Sequence, residues 1–157
     1  MSSIEKLTNF LDYSNINYNL LHHDATYTCE QLAHKLDVPT KDIAKTVIIK
    51  NDKGYAMIVL PGDKKINLNF LKNMFLSKKL EIVKESEFKK LFPDCELGAM
   101  PPFGNLYKLP VYVAHSLTLD SEIIFNAGTH CDAIKVKFDD YTRLVSPNIS
   151  FFSKSIH

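Results

Sequence analysis

The chain has 157 residues, of which 45% are hydrophobic and 24% are charged, and its formal net charge is +1. This balance is typical of globular proteins and excludes the disordered class. The length allows one core, so we expect residues 1–157 to form a single domain. No apolar run approaches the roughly 18 residues that span a bilayer, and the N-terminus lacks the basic start and apolar stretch of a signal peptide. We therefore expect a cytoplasmic protein with no membrane segment.

The first half of the chain alternates helices and strands. Pairs of the capping-box type, Ser2 with Glu5 and Thr28 with Gln31, start two predicted helices, and the second is expected to end at Leu36. Strands are predicted at Tyr18–Leu21, Ala44–Lys50 and Tyr55–Leu60. A turn at Asn51–Gly54 joins the last two strands into a hairpin.

The second half continues with short elements. Further helices are predicted at Leu68–Phe75, about Ser86–Phe92 and about Asp139–Leu144, and strands at Leu80–Val83, Leu109–Ala114, Ile123–Phe125 and Ala133–Lys137. Residues 93–106 are rich in proline and glycine and predict a loop, either ordered or flexible. Helices and hairpin-linked strands interleave without a strict βαβ rhythm. The predicted fold class is therefore α+β with a mixed sheet.

Cysteine and histidine spacing argues against a disulfide framework or a metal site. Cys29, Cys95 and Cys131 are an odd number of cysteines with no Cys-x-x-Cys spacing, so reduced, unpaired thiols are the simplest interpretation. His22 and His23 are neighbours that would point apart in a helix or a strand, with no second ligand pair nearby. We expect no metal and no cofactor.

Positive charge is concentrated in the middle of the chain. Residues 41–90 contain 12 lysines against 6 acidic residues, and both flanking segments are slightly negative. A basic middle suits a polyanion that touches one face of the protein, although a solvated lysine-rich surface explains the same pattern. Arg143 is the only arginine among 19 basic residues, so a nucleic-acid contact would rely on point charges and shape rather than on bidentate recognition.

Lys45 is the first side chain that suggests chemistry. On a strand it shares a face with Val47 and Ile49, and the residues between them take the other face. If the Val47 face meets the core, the ammonium needs an anionic or carbonyl partner. Alternatively, Lys45 lies near the strand end and its side chain extends to water.

Two further segments resist a purely structural interpretation. One is the loop Gly98-Ala99-Met100-Pro101-Pro102-Phe103-Gly104, and the other is Ala127-Gly128-Thr129-His130. A loop stiffened by two prolines can hold its remaining N–H groups toward a developing oxyanion, but it can equally be a tight structural turn. His130 can act as an acid, a base or a hydrogen-bond donor, or be structural.

The familiar nucleophile, metal and phosphate motifs GxSxG, HExxH, GxxxxGK[ST] and GxGxxG are absent from the sequence. The residues alone therefore indicate a globular α+β protein with an unexplained lysine and a rigid loop.

Taken together and in order, these segments resemble the YbaK/EbsC family of aminoacyl-tRNA deacylases, which is related to the editing domain inserted in bacterial prolyl-tRNA synthetases. The resemblance runs from about Tyr18 to Leu144. The matching residues are His23, Tyr27-Thr28, Val38-Pro39, Ala44-Lys45-Thr46-Val47, Val59-Leu60-Pro61-Gly62-Asp63, the 98–104 loop, Leu109-Pro110-Val111-Tyr112-Val113 and Ala127-Gly128-Thr129-His130.

The resemblance implies a mixed, partly barrel-like sheet surrounded by helices, and hydrolysis of the ester between a wrong amino acid and the terminal adenosine of a tRNA. Lys45 stands at the family's essential lysine and is the predicted catalytic residue. The predicted substrate-binding residues are His23, Thr28, Thr46, Gly98, Ala99, Met100, Pro101, Pro102, Phe103, Gly104, Gly128, Thr129 and His130. Packing explains His23 as well as binding does.

An aminoacyl ester is activated, so the expected mechanism needs no covalent nucleophile. Loop N–H groups would hold the ester carbonyl, Lys45 would stabilise negative charge nearby or the terminal phosphate, and a water would attack. The free hydroxyl of the adenosine would assist. The alternatives are a non-catalytic aminoacyl-tRNA or nucleotide sensor, a thiol enzyme using one of the cysteines, and a structural interaction partner.

The first expected partner is the acceptor end of a mischarged tRNA, contacted by the lysines of residues 41–90, and an aminoacyl-tRNA synthetase is the second candidate. Alanine is the first expectation for the removed amino acid, followed by serine, threonine or cysteine. Monomer is the default assembly.

Overall fold

The computed structural model describes residues 2–156. Within that range, five α-helices span α1 Ser3–Tyr13, α2 Cys29–Leu36, α3 Leu68–Met74, α4 Glu85–Leu91 and α5 Phe138–Val145. The strands are β1 Tyr18–His22, β2 Ala44–Asn51, β3 Gly54–Pro61, β4 Lys64–Ile66, β5 Glu81–Ile82, β6 Val111–Ala114, β7 Glu122–Asn126, β8 Asp132–Lys137, β9 Asn148–Ser150 and β10 Ser153–Ser155. Short 3₁₀ turns lie at Thr40–Asp42, Gly104–Leu106 and His115–Leu119.

The largest sheet has five strands in the order β5-β2-β3-β6-β9. β2 pairs antiparallel with β3 and β5, whereas β3–β6 and β6–β9 are parallel, so the sheet is mixed. The β2–β3 hairpin turns at Gly54, whose φ of +132° suits glycine. β5 pairs with β2 only at Ile49 and Lys50. The outer edge of β2 before Ile49 is therefore not paired with β5.

Two smaller sheets complete the fold, one of the order β1-β8-β7 and one formed by β10 and β4, all antiparallel. The predicted α+β class with a mixed sheet is confirmed. In residues 2–156 the strands form three separate sheets and no closed barrel. No helix in this range is long and apolar enough to span a bilayer.

Both faces of β2 pack against apolar residues. Ala44 and Ile48 contact the largest core cluster, which includes residues of α1, α4, α5 and the 98–104 loop. Val47 and Ile49 contact a second cluster formed with α3 and the outer face of β3. The period-two alternation predicted for this strand is thus observed. Lys45 lies on the Val47 face and pairs with Leu60 of β3.

The loop that follows α4 is ordered by core contacts. Pro101, Pro102, Phe103 and Gly104 are all buried. The Phe103 ring meets Phe125 at 5.5 Å and Tyr141 at 5.3 Å between centroids. The Tyr141 hydroxyl, whose pKa is raised by burial, donates a 2.7 Å hydrogen bond to the Pro102 carbonyl. The second half of the loop is therefore a core element.

The predicted helices and strands agree with the observed ones to within a few residues at each end. Both predicted caps form, since Ser2 accepts from Glu5 N–H and Thr28 accepts from Gln31 N–H. The three-residue strands β4, β9 and β10 were not predicted. Three residues are too few for a periodic pattern, and these strands exist because tertiary contacts bring a partner strand alongside.

Candidate active site

Three of the segments that carried the family resemblance, Tyr27-Thr28, residues 44–47 and the 98–104 loop, contribute residues to one small cavity of about 70 Å³. Lys45, Thr28, Thr46, Gly98 and Met100, all predicted site residues, line it together with Thr26, Tyr27, Cys29, Ile43, Ala44 and Asn126. Thr46, Gly98 and Met100 also border an adjoining apolar cleft of about 170 Å³. Four separate parts of the sequence therefore line one site at the outer edge of β2.

Backbone hydrogen bonds through the turn at 127–131 fasten these parts together. Gly128 N–H donates to the Ala99 carbonyl, and Gly128 carbonyl accepts from Glu96 N–H, both at 2.8 Å. On the other side of the turn, Thr26 N–H donates to the His130 carbonyl at 3.1 Å. The 26–29 segment and the 96–100 segment are thus held at fixed positions on either side of β2.

Lys45 brings a positive charge without a partner. Its side chain is half-buried, and within residues 2–156 it makes no hydrogen bond or ion pair. The Cys29 thiol lies close enough to sense that charge. Burial raises the pKa of Cys29, and Lys45 acts in the opposite direction without cancelling it. An ammonium with no partner among the described residues is free to donate hydrogen bonds to an anionic or carbonyl group of a ligand.

Thr46 presents further unsatisfied polar groups to the cavity. In the β2–β3 ladder it pairs with Val59. Two residues on, the Ile48 carbonyl points outward and accepts from Val83 N–H. Because hydrogen-bonding direction alternates along an antiparallel pair, the N–H and C=O of Thr46 also point outward, away from β3. Within the described chain its buried Oγ1 has no partner either.

Other groups around the cavity are equally unsatisfied within residues 2–156. The buried Oδ1 of Asn126 has no hydrogen-bond partner. The N–H groups of Gly98 and Met100 make no backbone hydrogen bond, whereas the Ala99 N–H between them donates to the Glu96 carbonyl at 3.0 Å. Buried polar groups are normally satisfied, so the unpartnered Thr46 Oγ1 and Asn126 Oδ1, lying beside the unpaired N–H groups of Gly98 and Met100, indicate a site for a polar ligand.

The structure divides the predicted substrate loop into two parts. Gly98, which has a φ of +81°, and Met100 line the cavity. Ala99, Pro101, Pro102, Phe103 and Gly104 are buried and do not line it. At Gly104 a Cβ would lie 2.8 Å from the Leu109 carbonyl oxygen, so glycine is required there for packing. A substrate-binding role for the buried residues stays a prediction.

His130 lies next to the cavity and is firmly positioned. Its Nε2 is 2.8 Å from the Leu97 carbonyl, and its N–H donates to Glu96 Oε1 at 2.7 Å. A carbonyl only accepts, so Nε2 carries a hydrogen and Nδ1 is the acceptor of the neutral ring. Nδ1 is buried and has no partner in residues 2–156.

The remaining predicted residues do not line the cavity. Thr129 donates a hydrogen bond to Asp132 Oδ2 at 2.7 Å. Burial by itself would raise the pKa of Asp132, but the hydrogen bonds from His22 and Thr129 outweigh burial, so the pKa of Asp132 is lowered. His23 Nδ1 contacts the Asp24 carbonyl at 2.7 Å, and its buried Nε2 has no partner among the described residues. Gly128 contributes the backbone hydrogen bonds to Ala99 and Glu96 described above and does not line the cavity.

Sequence reasoning did not select Asn126, Tyr27, Cys29 or Gly62 as site residues. Asn126 is the polar residue that follows the apolar run Ile123–Phe125 at the end of β7, which is the signal that was available. Gly62 was noted only as part of the family-matching segment 59–63. A Cβ there would lie 2.8 Å from the Cys29 Cβ and from the Thr40 carbonyl oxygen, so this glycine lets α2 approach the end of β3.

The cysteines and acidic residues form no obvious metal centre. Among residues 2–156, no group of three or more His, Cys, Asp and Glu side chains is arranged to hold a metal ion. Cys29, Cys95 and Cys131 are free thiols.

The sequence profile of the aminoacyl-tRNA editing domain family matches residues 23–144, which include every residue of the cavity. The chain belongs to this family. It is 29% identical to the prolyl-tRNA editing protein ProX of Acetoanaerobium sticklandii, over 90% of each protein. It is 25% identical to the multifunctional Ser/Thr-tRNA deacylase ProXp-y of Escherichia coli K12, over 96% of this chain and 93% of that protein.

A solved structure supports the fold assignment. A protein described provisionally as a trans-editing enzyme for prolyl-tRNA synthetase superposes with a TM-score of 0.87 at 17% identity, over 99% of each chain. The resemblance drawn from the sequence motifs is therefore confirmed. Editing proteins and deacylases are hydrolases, so the predicted enzyme class, an aminoacyl-tRNA deacylase, is confirmed as well.

We predict that Gly128→Ala destabilises the protein more than Gly54→Ala. Both glycines have positive φ, +98° and +132°, but a Cβ on Gly128 would overlap the Ser3 hydroxyl and lie 2.7 Å from the Ser3 Cβ, whereas a Cβ on Gly54 meets open space. Overpacking should add about 1–3 kcal/mol to the shared backbone strain. Urea denaturation of the two variants measures the difference. Equal destabilisation would mean that α1 moves away from the turn without loss.

We also predict that the positive charge of Lys45 lowers the pKa of the Cys29 thiol. In a protein carrying Cys95→Ser and Cys131→Ser, iodoacetamide should alkylate Cys29 with a pH midpoint above that of an ordinary thiol, because burial raises its pKa. Lys45→Met removes the charge that favours the thiolate, so the midpoint should rise further. Lys53→Met, at the distant hairpin turn, should leave it unchanged. An unchanged midpoint in Lys45→Met would contradict the close approach of the two groups.

Proposed function

We propose that this protein is a trans-editing deacylase, which hydrolyses the ester between a mischarged small amino acid and the terminal adenosine of a tRNA. One observation carries the proposal: Lys45, whose side chain is unpaired within residues 2–156, lines the same small cavity as Thr46, Gly98 and Met100, and the N–H groups of Gly98 and Met100 make no backbone hydrogen bond. An ester that becomes a tetrahedral oxyanion needs this combination of a cation and preorganised N–H donors.

In the proposed reaction, a water oxygen bonds to the ester carbonyl carbon. The N–H groups of Gly98 and Met100 donate to the carbonyl oxygen as it becomes negative, and Lys45 stabilises that charge or the terminal phosphate. The ester C–O bond then breaks, one proton of the attacking water passes to the adenosine oxygen, the other is released to solvent, and the amino acid departs as its carboxylate. Ala99 cannot serve as a donor, since its N–H is already bonded to Glu96.

The environment of Cys29 argues against a covalent thiol mechanism. A cysteine nucleophile works as the thiolate, and burial raises the pKa of Cys29 in spite of the nearby lysine. No base that would deprotonate Cys29 lies among the residues lining the cavity. An activated ester and a positioned water require neither, so Cys29 is assigned a packing role beside Gly62.

The size of the cavity supports a small amino acid. A volume of about 70 Å³ beside Lys45 suits alanine, followed by serine, threonine or cysteine, and not an aromatic side chain. The side-chain hydroxyl of a bound serine or threonine would find hydrogen-bond partners in Thr46 Oγ1 and Asn126 Oδ1, which have none within the described chain. The relative ProXp-y is named for Ser/Thr-tRNA.

The lysine-rich middle supplies a surface for the acceptor stem. Lys78 and Lys79 are exposed, make no ion pair within residues 2–156, and flank a groove of about 370 Å³ that also includes Lys50. Point charges on an open groove suit a phosphate backbone that is held without base recognition. A synthetase partner, a monomeric state and a cytoplasmic location remain predictions.

The decisive experiment is deacylation of a panel of aminoacyl-tRNAs by the wild type and by Lys45→Met, which keeps the aliphatic stem. We expect hydrolysis of one or a few mischarged species, and a fall in kcat/KM of about 100- to 1,000-fold in the variant, because a charge that stabilises the transition state is removed. Circular dichroism checks that the fold is kept. Binding without hydrolysis of any species would favour the sensor alternative, and unchanged hydrolysis by Lys45→Met would refute the mechanism.

The proposed tRNA surface predicts a specific salt effect. The double variant Lys78→Ala/Lys79→Ala should bind tRNA more weakly, and its log–log salt slope should fall by about 1 for each phosphate that the protein no longer neutralises. Lys137→Ala/Lys154→Ala removes the same charge from exposed positions on β8 and β10 and should bind like the wild type. Equal weakening by the two double variants would assign the effect to net charge alone.

A further inference from the structure

An exposed aromatic pair stands at the edge of the cavity. The Tyr27 side chain lines the cavity although 71% of the residue is exposed to solvent. Its ring contacts the ring of His130, with 4.9 Å between centroids and 48° between planes. Its position beside a polar cavity leaves one face of the aromatic ring open to a bound ligand.

Polar contacts hold the His130 ring and the backbone of Tyr27 in place. Tyr27 N–H donates to Gln31 Oε1 at 2.8 Å, which ties the residue to the first turn of α2. His130 is fixed through Nε2 to the Leu97 carbonyl and through its N–H to Glu96. Within residues 2–156 the Tyr27 hydroxyl makes no hydrogen bond. The Tyr27 ring thus lies against a fixed imidazole from a fixed backbone position, while its outward face and hydroxyl are unoccupied.

The chemistry of the proposed substrate identifies what would cover this face. If the ester carbonyl lies at Gly98 and Lys45, the attached ribose lies at the mouth of the cavity and its base lies just outside. Nucleobases stack on aromatic side chains irrespective of their hydrogen-bonding edges. We propose that Tyr27, backed by His130, is the stacking platform for the terminal adenine of the tRNA. This inference rests on the proposed function.

The protein contains a second exposed aromatic–histidine pair that serves as a control. Phe151 is 67% exposed and stacks on His115 with 4.4 Å between centroids. Neither residue lines the cavity or the adjoining cleft. Phe151→Ala therefore removes an equally exposed ring from a similar pair away from the site.

The test uses a tRNA acceptor-stem minihelix in which 2-aminopurine replaces the terminal adenine, since stacking on an aromatic ring quenches the fluorescence of this base. At saturating protein, quenching should occur with the wild type, Tyr27→Phe and Phe151→Ala, and should be absent with Tyr27→Ala. The affinity for the minihelix should fall roughly 10-fold in Tyr27→Ala alone. The melting temperature should not change, because the side chain is exposed.

The outcomes separate the platform from the deacylase. Quenching that persists in Tyr27→Ala, or no quenching with a wild type that deacylates tRNA, overturns the platform and leaves the enzyme standing. Tyr27-dependent quenching in a protein that deacylates none of the panel supports the platform as a nucleotide site and overturns the proposed function. If quenching and deacylation are both absent from the wild type, both proposals fall.

Discussion

The two hydrogen bonds of the Gly128 backbone are the constraint on which the site depends. They hold the 96–99 segment against the turn after β7, and the same turn holds the 26–29 segment through His130. Because Gly128 has a φ of +98° and lies against Ser3, the turn is also locked to the start of α1. These backbone hydrogen bonds of the 127–131 turn therefore set the positions of Gly98, Met100 and Tyr27 relative to Lys45.

Lys45 illustrates how far the strand pattern could be interpreted. The two-residue period assigned Lys45 to the face of Val47 and Ile49, and the structure agrees. The pattern offered a choice between a core-facing lysine and one that reaches water. The structure combines the two, since both faces of β2 are packed and the lysine stands where the strand borders a cavity.

Elements with a strong local signal were predictable, and contacts between distant segments were not. The β-branched run of β2, the Ser2 and Thr28 caps and the turn at Gly54 identify themselves within a few residues. The loop 98–104 was recognised as rigid, but its division into a cavity half and a core half depends on Tyr141 and Phe125, far along the chain. Asn126 was missed for the same reason, because its importance arises only where β7 ends beside Thr46.

Because β5 is only two residues long, part of the outer edge of β2 stays unpaired and can line the candidate site. A longer β5 would extend past Ile49 and pair with Thr46, converting the outward N–H and C=O groups into ordinary sheet bonds. An uncovered strand edge is elsewhere a risk for aggregation, because it invites pairing with another chain. Here the 98–100 loop shields that edge without pairing with it. The proposed catalytic surface is thus the unpaired edge of an interrupted sheet, and the length of β5 sets how many residues of that edge stay unpaired.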